Sequence, residues 1–312
     1  MGAIVKACSL RNSVANTGKE CDTSMGATAM LIAIKKTVTF TDTDLLDPIA
    51  WLTRLIQARD AFPFFGHEAP INTITNDTEQ DSLVTLDDGT KVFLRYGVYN
   101  RMFETIAGGL CFAKSLKSLN KSGYNIIEID QEGQMLVAKS LTEGTYRGLA
   151  TSFMYAPAPV LADLKSTPYK NRFQLSYSPV EMVENGVIME GAQDLLSLMG
   201  LIDVKLKNVS TAKTTTAIYF AVETECAQTD LVALFPTKIA TPTNYILTNV
   251  ITGAVVVASA GAVFNGQVRL TGTFVTGQSY KVIGSAPSVW STNLIDGYDA
   301  SGLDSAVIVV IP

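Results

Sequence analysis

Residues 82–105 read SLVTLDDGTKVFLRYGVYNRMFET, and this stretch decides the fold. The run 83–86 is apolar and rich in strand formers, Asp87-Asp88-Gly89 is a turn signal, and an alternating run continues from 91 to 105. An Asp-Gly step between two such runs is a strong short-range hairpin signal, because glycine supplies the positive φ that a tight hairpin turn needs. The stretch predicts antiparallel strands rather than the long crossovers of a parallel sheet.

Downstream, 107–119 reads as a short helix with Leu110, Ala113, Leu116 and Leu119 on one side and Lys114, Lys117 and Lys121 on another. Runs 124–130 and 134–138 make a second hairpin across Gln131-Glu132-Gly133. Two further strands, 145–155 and 171–177, flank a loop containing Pro157, Pro159 and Pro168, and 192–199 reads as a short helix. Upstream, 30–40 is a strand pattern interrupted by Lys35-Lys36. Asp47 is a good N-cap before Pro48, and Ile49, Leu52, Leu55 and Ile56 form an apolar stripe, so a helix is expected over 48–61 with Pro63 as its stop. The first thirty residues show neither period and read as an extended arm of the kind that reaches a neighbouring subunit. The expectation for 1–203 is therefore an arm plus an α+β domain, mainly antiparallel β with short helices.

Beyond this point the composition shifts. Residues 231–312 hold only six charged residues, Lys238, Arg269, Lys281, Asp296, Asp299 and Asp304. Short β runs recur at 202–209, 215–224, 231–235, 245–249, 254–258, 267–273, 280–284 and 306–311, with turn signals such as Thr252-Gly253, Asn265-Gly266 and Thr276-Gly277 between several of them. That spacing predicts an all-β, immunoglobulin-like or jelly-roll-like sandwich over 204–312. With 312 residues, two domains are also what the length suggests.

Composition excludes whole classes. Charged residues make up 17% of the chain against about 25% in an ordinary soluble domain, while the 47% hydrophobic content is ordinary. Much surface must then be neutral or apolar, which favours an obligate homo-oligomer. The formal net charge of −5 gives no basic footprint, so no specific nucleic-acid binding is expected. Cys8, Cys21, Cys111 and Cys226 lie far apart and form no metal-ligand spacing. They are expected to be reduced thiols in a cytoplasmic setting. The opening MGAIVKACSL lacks a secretory apolar core, and no apolar run approaches the roughly 20 residues that span a bilayer, so no membrane segment is expected.

Candidate chemistry is sparse. His67, the single histidine, follows a helix in Phe65-Gly66-His67-Glu68 without a nucleophile motif beside it, and reads as an ordinary loop histidine. Glu128, Asp130 and Glu132 alternate along one strand opposite Ile127 and Ile129. Carboxylates so placed serve glycoside hydrolysis, cation binding or the repulsive lining of a channel. The favoured reading puts them on the solvent side of a two-faced strand. The acidic segment Asp296-Gly-Tyr-Asp299 with Asp304 lacks a calcium-loop pattern and reads as a turn. Lys114, Lys117 and Lys121, near Tyr124, read as a solvated or inter-subunit face. No glycine cluster has a nucleotide-binding spacing. No catalytic residue, cofactor or metal is expected.

The strings DGTKVFLRYG (88–97), GLATSFMYAP (148–157) and APSVW (286–290) followed by Gly297-Tyr298 sit within this layout of arm, hairpin-rich sheet domain and nearly charge-free sandwich. Together they resemble structural proteins of tailed-bacteriophage virions, and in particular tail tube subunits that carry an added immunoglobulin-like domain. The resemblance implies a non-enzymatic subunit, made in the host cytoplasm and resident in the virion, that partners itself and other virion proteins. In that family hexameric rings stack, β-sheets line a lumen, and arms and loops bind the adjacent ring. An acidic subunit suits a lumen through which DNA slides without sticking. Two other readings fit the same residues. A capsid shell or decoration protein would be built of jelly rolls, with more strands and less helix in the first half. A carbohydrate-binding or adhesive sandwich would present an exposed aromatic platform, for which Trp290 and Tyr298 are the candidates, unless Trp290 is a core residue.

Overall fold

The computed structural model describes residues 25–66, 69–120, 123–162, 168–189 and 193–312, so residues 1–24 of the expected arm, His67 and Lys121 lie outside the described residues, while the end of the expected arm, from Thr28, already belongs to the first strand. The chain divides into two compact units, Met1–Met199 and Gly200–Pro312.

Unit 1 runs through β1 (Thr28–Lys35), β2 (Phe40–Thr41), α1 (Pro48–Gln57), β3 (Ala61–Phe65), β4 (Thr73–Asn76), β5 (Ser82–Thr85), β6 (Lys91–Arg95) and β7 (Tyr99–Thr105). It continues with α2 (Gly109–Ser118), β8 (Tyr124–Asp130), β9 (Met135–Lys139), β10 (Thr145–Arg147), β11 (Leu149–Tyr155), β12 (Asn171–Tyr177) and β13 (Gly186–Met189). Strands follow the order β2-β10-β9-β8-β11-β12-β7-β4, with β1 joining β8 to β3 and β13 lying on β9. β11 carries the sheet around a bend: Leu149 and Ala150 pair with β8, and after a bulge the strand pairs with β12. The expected single strand 145–155 breaks at Gly148, where a Cβ would lie 2.6 Å from Ile34 Cγ2 and 2.9 Å from Asn125 Cβ.

Helix α1 starts as expected, with Asp47 accepting a hydrogen bond from the Ala50 N–H at 3.0 Å and Pro48 in the first turn. Trp51, Leu52 and Ile56 are buried. It ends at Gln57 rather than near Pro63, because Arg59 adopts a φ of 58° and turns the chain. Pro63 instead sits in β3, opposite Ile32. A strand paired on one side only tolerates the missing N–H.

Unit 2 contains β14 (Ile202–Asn208), β15 (Ala217–Thr224), α3 (Leu231–Leu234), β16 (Tyr245–Asn249), β17 (Val255–Val256), β18 (Ala260–Phe264), β19 (Gln267–Thr271), β20 (Ser279–Gly284), α4 (Pro287–Thr292), β21 (Tyr298–Asp299) and β22 (Val307–Val310). One sheet has the order β18-β19-β15-β14-β21 and the other β17-β16-β20-β22. β15 and β20 alternate buried and half-buried positions, the period of strands with one face on a core. Val204, Leu206, Phe220, Val222 and Leu270 from the first sheet join Tyr245, Leu247, Val282 and Val309 from the second, with Trp290, in one hydrophobic cluster. The chain as a whole is thus mainly antiparallel β. Within unit 2 the segment expected as strand 231–235 is instead the short helix α3, because Asp230 caps it by accepting from the Val232 N–H at 2.8 Å.

Candidate functional site

The hairpin expected from residues 82–105 forms, and it is the most anomalous surface of unit 1. Among the described residues β5 and β6 pair only with each other, with Leu83 opposite Phe93, Val84 opposite Val92 and Thr85 opposite Lys91. The tip closes through Gly89 at φ 83°, with the Thr90 N–H donating to Asp88 Oδ1 at 2.8 Å. That hydrogen bond holds the Asp88 carboxyl below its ordinary range.

The base is clamped. Glu79 N–H donates to the Val98 carbonyl at 3.0 Å, and Gly97 N–H donates to Asp81 Oδ1 at 2.9 Å. Gly97 is required there, since a Cβ would stand 1.8 Å from the Glu79 carbonyl oxygen. The expected continuous run 91–105 is therefore two strands, split at this close approach.

Alternation along β6 puts Lys91, Phe93 and Arg95 on one side and Val92 and Leu94 on the other. The second side, with Val84 and Leu86 from the facing strand, carries no charge. Phe93 is 45% exposed, Leu94 58% and Tyr96 54%, and Leu83, Val84, Leu86 and Val92 are exposed as well. A lone two-stranded hairpin is marginal in water, and charged or short strands are the usual protection of such edges. This one keeps its charges, Lys91 and Arg95, on one side and presents only apolar side chains on the other.

The strand carrying Glu128 and Asp130 is the reverse case, and corrects the expectation of a solvent-facing acidic row. β8 is buried on both faces, because β1 covers one edge, β9 and β11 the other, and side chains pack above and below. Glu128 is fully buried. It accepts from Thr28 Oγ1 at 2.7 Å and from the Tyr177 hydroxyl at 2.9 Å, and it forms an ion pair with Arg101. Arg101 also donates to Thr28 Oγ1 at 3.1 Å and to Asn76 Oδ1 at 3.1 Å, and lies over the Phe103 ring. Burial, and then the neighbouring Glu128 charge, push the Tyr177 phenol well above its ordinary range.

Asp130, also buried, accepts from the Gly26, Glu132 and Gln134 N–H groups at 2.8 to 2.9 Å and so ties off the β8–β9 turn. Only Glu132 is exposed. The three carboxylates do not form a shared site.

A second charged knot links Arg147 to Glu181, which also accepts from the Ala150 N–H at 2.7 Å and the Asn185 amide at 3.0 Å. Burial by itself would raise the Glu181 carboxyl, but the hydrogen bonds from Arg147, Ala150 and Asn185 hold it below its ordinary range.

The remaining expected residues scatter. Lys114 and Lys117 are exposed on α2. Trp290 is buried, donating from Nε1 to the Asn244 carbonyl at 2.9 Å and packing edge-on to Tyr245, while Tyr298 packs against Phe235. Neither forms an open platform. Asp296 accepts from Ser291, Asp299 is buried and accepts from the Ser301 N–H at 2.6 Å, and Asp304 is exposed, so the acidic segment is a hydrogen-bonded turn.

Cys111 and Cys226 are disulfide-bonded, which overturns the expectation of reduced thiols for these two. Linear spacing carries no information about which sulfurs a fold brings within bonding distance. Among the described residues no group of three or more His, Cys, Asp or Glu is placed to hold a metal ion, and no helix is long and apolar enough to cross a membrane. Comparison with known proteins finds no matching family model, no matching curated protein and no matching solved structure.

Proposed function

We propose that this chain is a non-enzymatic virion structural subunit of the tail tube type, which assembles with copies of itself into stacked rings through the β5–β6 hairpin. The observation that carries the reading is the exposed, uncharged side of that hairpin, formed by Val84, Leu86, Val92 and Leu94. Monomers rarely leave such a surface on a protruding element unless a partner covers it.

Magnitudes favour a repeating assembly over a single contact. Covering half-exposed Leu, Val and Phe side chains is worth on the order of 1 kcal/mol each. Six such residues give roughly 6 kcal/mol, which is of the same order as the roughly 4–15 kcal/mol that association costs. One hairpin contact is marginal, whereas a closed ring or stack in which every copy gives and receives a hairpin multiplies it.

In this reading unit 2 is the added immunoglobulin-like sandwich, supported by its two sheets sharing one core. The net charge of −5 suits a particle that must not bind the DNA passing through it. Such a subunit is assembled in the host cytoplasm, and its disulfides close after release into an oxidising medium. The adhesive alternative loses its candidate platform with Trp290 buried.

Negative-stain electron microscopy with light scattering across a concentration series, on the full chain and on Leu94→Asp, tests the proposal. Rings or tubes for the native chain and small particles for the variant are expected. Shells or flat lattices would move the assignment to a capsid protein, and a persistent monomer would overturn self-assembly.

A further inference from the structure

Unit 1 carries an exposed aromatic pair on the outer face of its sheet, and we infer that this face binds an uncharged polysaccharide chain. Phe153 and Tyr155 stand two residues apart on β11, on the side away from Met154, which is buried in the core. They are 46% and 44% exposed, and their ring centroids lie 5.9 Å apart with the planes inclined by 35°. Two rings so aligned make one apolar platform open to solvent, at positions where a strand facing water ordinarily carries polar side chains.

Beside the rings the face is polar but uncharged. Pairing across β11, β12, β7 and β4 sets Tyr155, Gln174, Met102 and Thr75 in one row, and three strand spacings make that row about 14 Å long. Gln174, half-buried, brings an amide that both donates and accepts. Phe153 stands opposite Ser176, whose Oγ donates to Asn100 Oδ1 at 2.5 Å and so leaves the Asn100 amide N–H2 as a donor. Charge enters only at the far end. Glu104 is answered there by Lys170 at 2.8 Å, while Arg172 gives one hydrogen bond to the Ala158 carbonyl at 3.3 Å and its Nε has no partner.

This combination selects a class of ligand. A sugar ring has an apolar C–H face and a rim of hydroxyls, so aromatic rings take the face while amides and a guanidinium take the rim. Linked sugars repeat both features along a chain, as β11 repeats its ring two residues on. Single-stranded nucleic acid also stacks on sheet aromatics, but its phosphates call for a groove lined with cations. With Lys170 paired, this face supplies Arg172 alone among the described residues. An apolar protein surface would strip water from the Gln174 and Asn100 amides without replacing the hydrogen bonds lost.

The platform involves neither strand of the β5–β6 hairpin nor any residue of unit 2, Trp290 and Tyr298 included. It therefore does not rest on the ring reading, and adds to it a binding activity for unit 1.

Native affinity electrophoresis of the full chain tests the inference, in gels containing hydroxyethyl cellulose, laminarin, mannan or dextran, each read against a gel without polysaccharide. Retardation by at least one of these neutral polysaccharides is expected, and Tyr155→Ala and Phe153→Ala should each weaken it about tenfold or more. Tyr155→Phe keeps the ring and should stay within about threefold of the native chain. Phe264→Ala, which removes an exposed ring on β18, should leave the retardation unchanged. Gln174→Ala, also expected to weaken binding, repeats the test should a ring variant fail to fold. A chain slowed by none of the polysaccharides, or slowed equally once both rings are gone, overturns the inference. Retention of a poly-dT oligonucleotide in place of the polysaccharides would make the ligand a nucleic acid and overturn it as well. So would a particle mass that falls in Tyr155→Ala while no polysaccharide slows the native chain, since another copy would then cover the face. A native chain that forms no rings yet is slowed by a polysaccharide through Tyr155 removes the ring reading and keeps this one.

Discussion

Strand β8 takes two carboxylates into the core of unit 1, whereas the β5–β6 hairpin of the same unit holds leucines, valines and Phe93 in solvent. Both depart from the usual sorting of apolar and charged residues, and they depart in opposite directions. The difference lies in satisfaction. Glu128 has Arg101, Thr28 and Tyr177, and Asp130 has three backbone N–H groups, so the burial of charge is answered inside the fold. The hairpin's apolar side chains, Phe93 against Tyr96 among them, stay exposed within the described chain. An anomaly satisfied internally belongs to folding, and one left unsatisfied points to a partner.

The sharpest way to break this comparison is Glu128→Ala. It leaves Arg101 and Tyr177 facing an empty site and is expected to cost about 3–5 kcal/mol of unfolding free energy, read from urea denaturation at neutral pH. A loss below about 1 kcal/mol would mean that the network is solvated and that β8 is not a core strand in solution.

Glu181→Gln is expected to cost roughly 2 kcal/mol, the range for hydrogen bonds to a charged group. Its pH dependence sharpens the point. The native carboxyl is held below its ordinary value, so its contribution is present above the unfolded carboxylate range and is lost as pH falls through the lowered native value. Urea midpoints for the native chain and the variant should stay a constant distance apart from pH 6 to 8 and converge below about pH 4.

Tyr177→Phe should cost about 1–2 kcal/mol by removing one donor to Glu128 while two others remain. The raised phenol pKa makes its contribution complete below the unfolded value near 10 and lost as pH climbs toward the native value, so the difference should narrow in strong alkali. Leu94→Asp, at the other pole, should change monomer stability by no more than about 0.5 kcal/mol, since the side chain is in water already. Its whole effect should fall on assembly.

Much of the fold was legible in the residues, and the failures have physical causes. Asp87-Asp88-Gly89 and Asp47-Pro48 announce a turn and a helix start by local chemistry, and both form. The burial of Glu128 could not be read from β8 itself, because its partners Thr28, Arg101 and Tyr177 come from three other strands. Run 231–235 is too short for periodicity to separate helix from strand, and only Asp230 as a cap carried the signal that decides it. Strand β18 was missed because Ala-Gly-Ala-Val-Phe has weak intrinsic strand preference, although the Asn265-Gly266 turn beside it was visible. The exposure of the hairpin is likewise invisible in sequence. The same alternating residues would suit a strand with a covered face, and the two are told apart by the lack, among the described residues, of a third strand beside β5 and β6.

Amide hydrogen exchange over residues 82–96, measured on the full chain across a concentration series, tests the central claim most directly. The account predicts rapid exchange in dilute protein, as for an isolated two-stranded hairpin, and protection that rises together with particle mass. Exchange that stays rapid in fully assembled particles would contradict it, because the copies would then meet through some other surface.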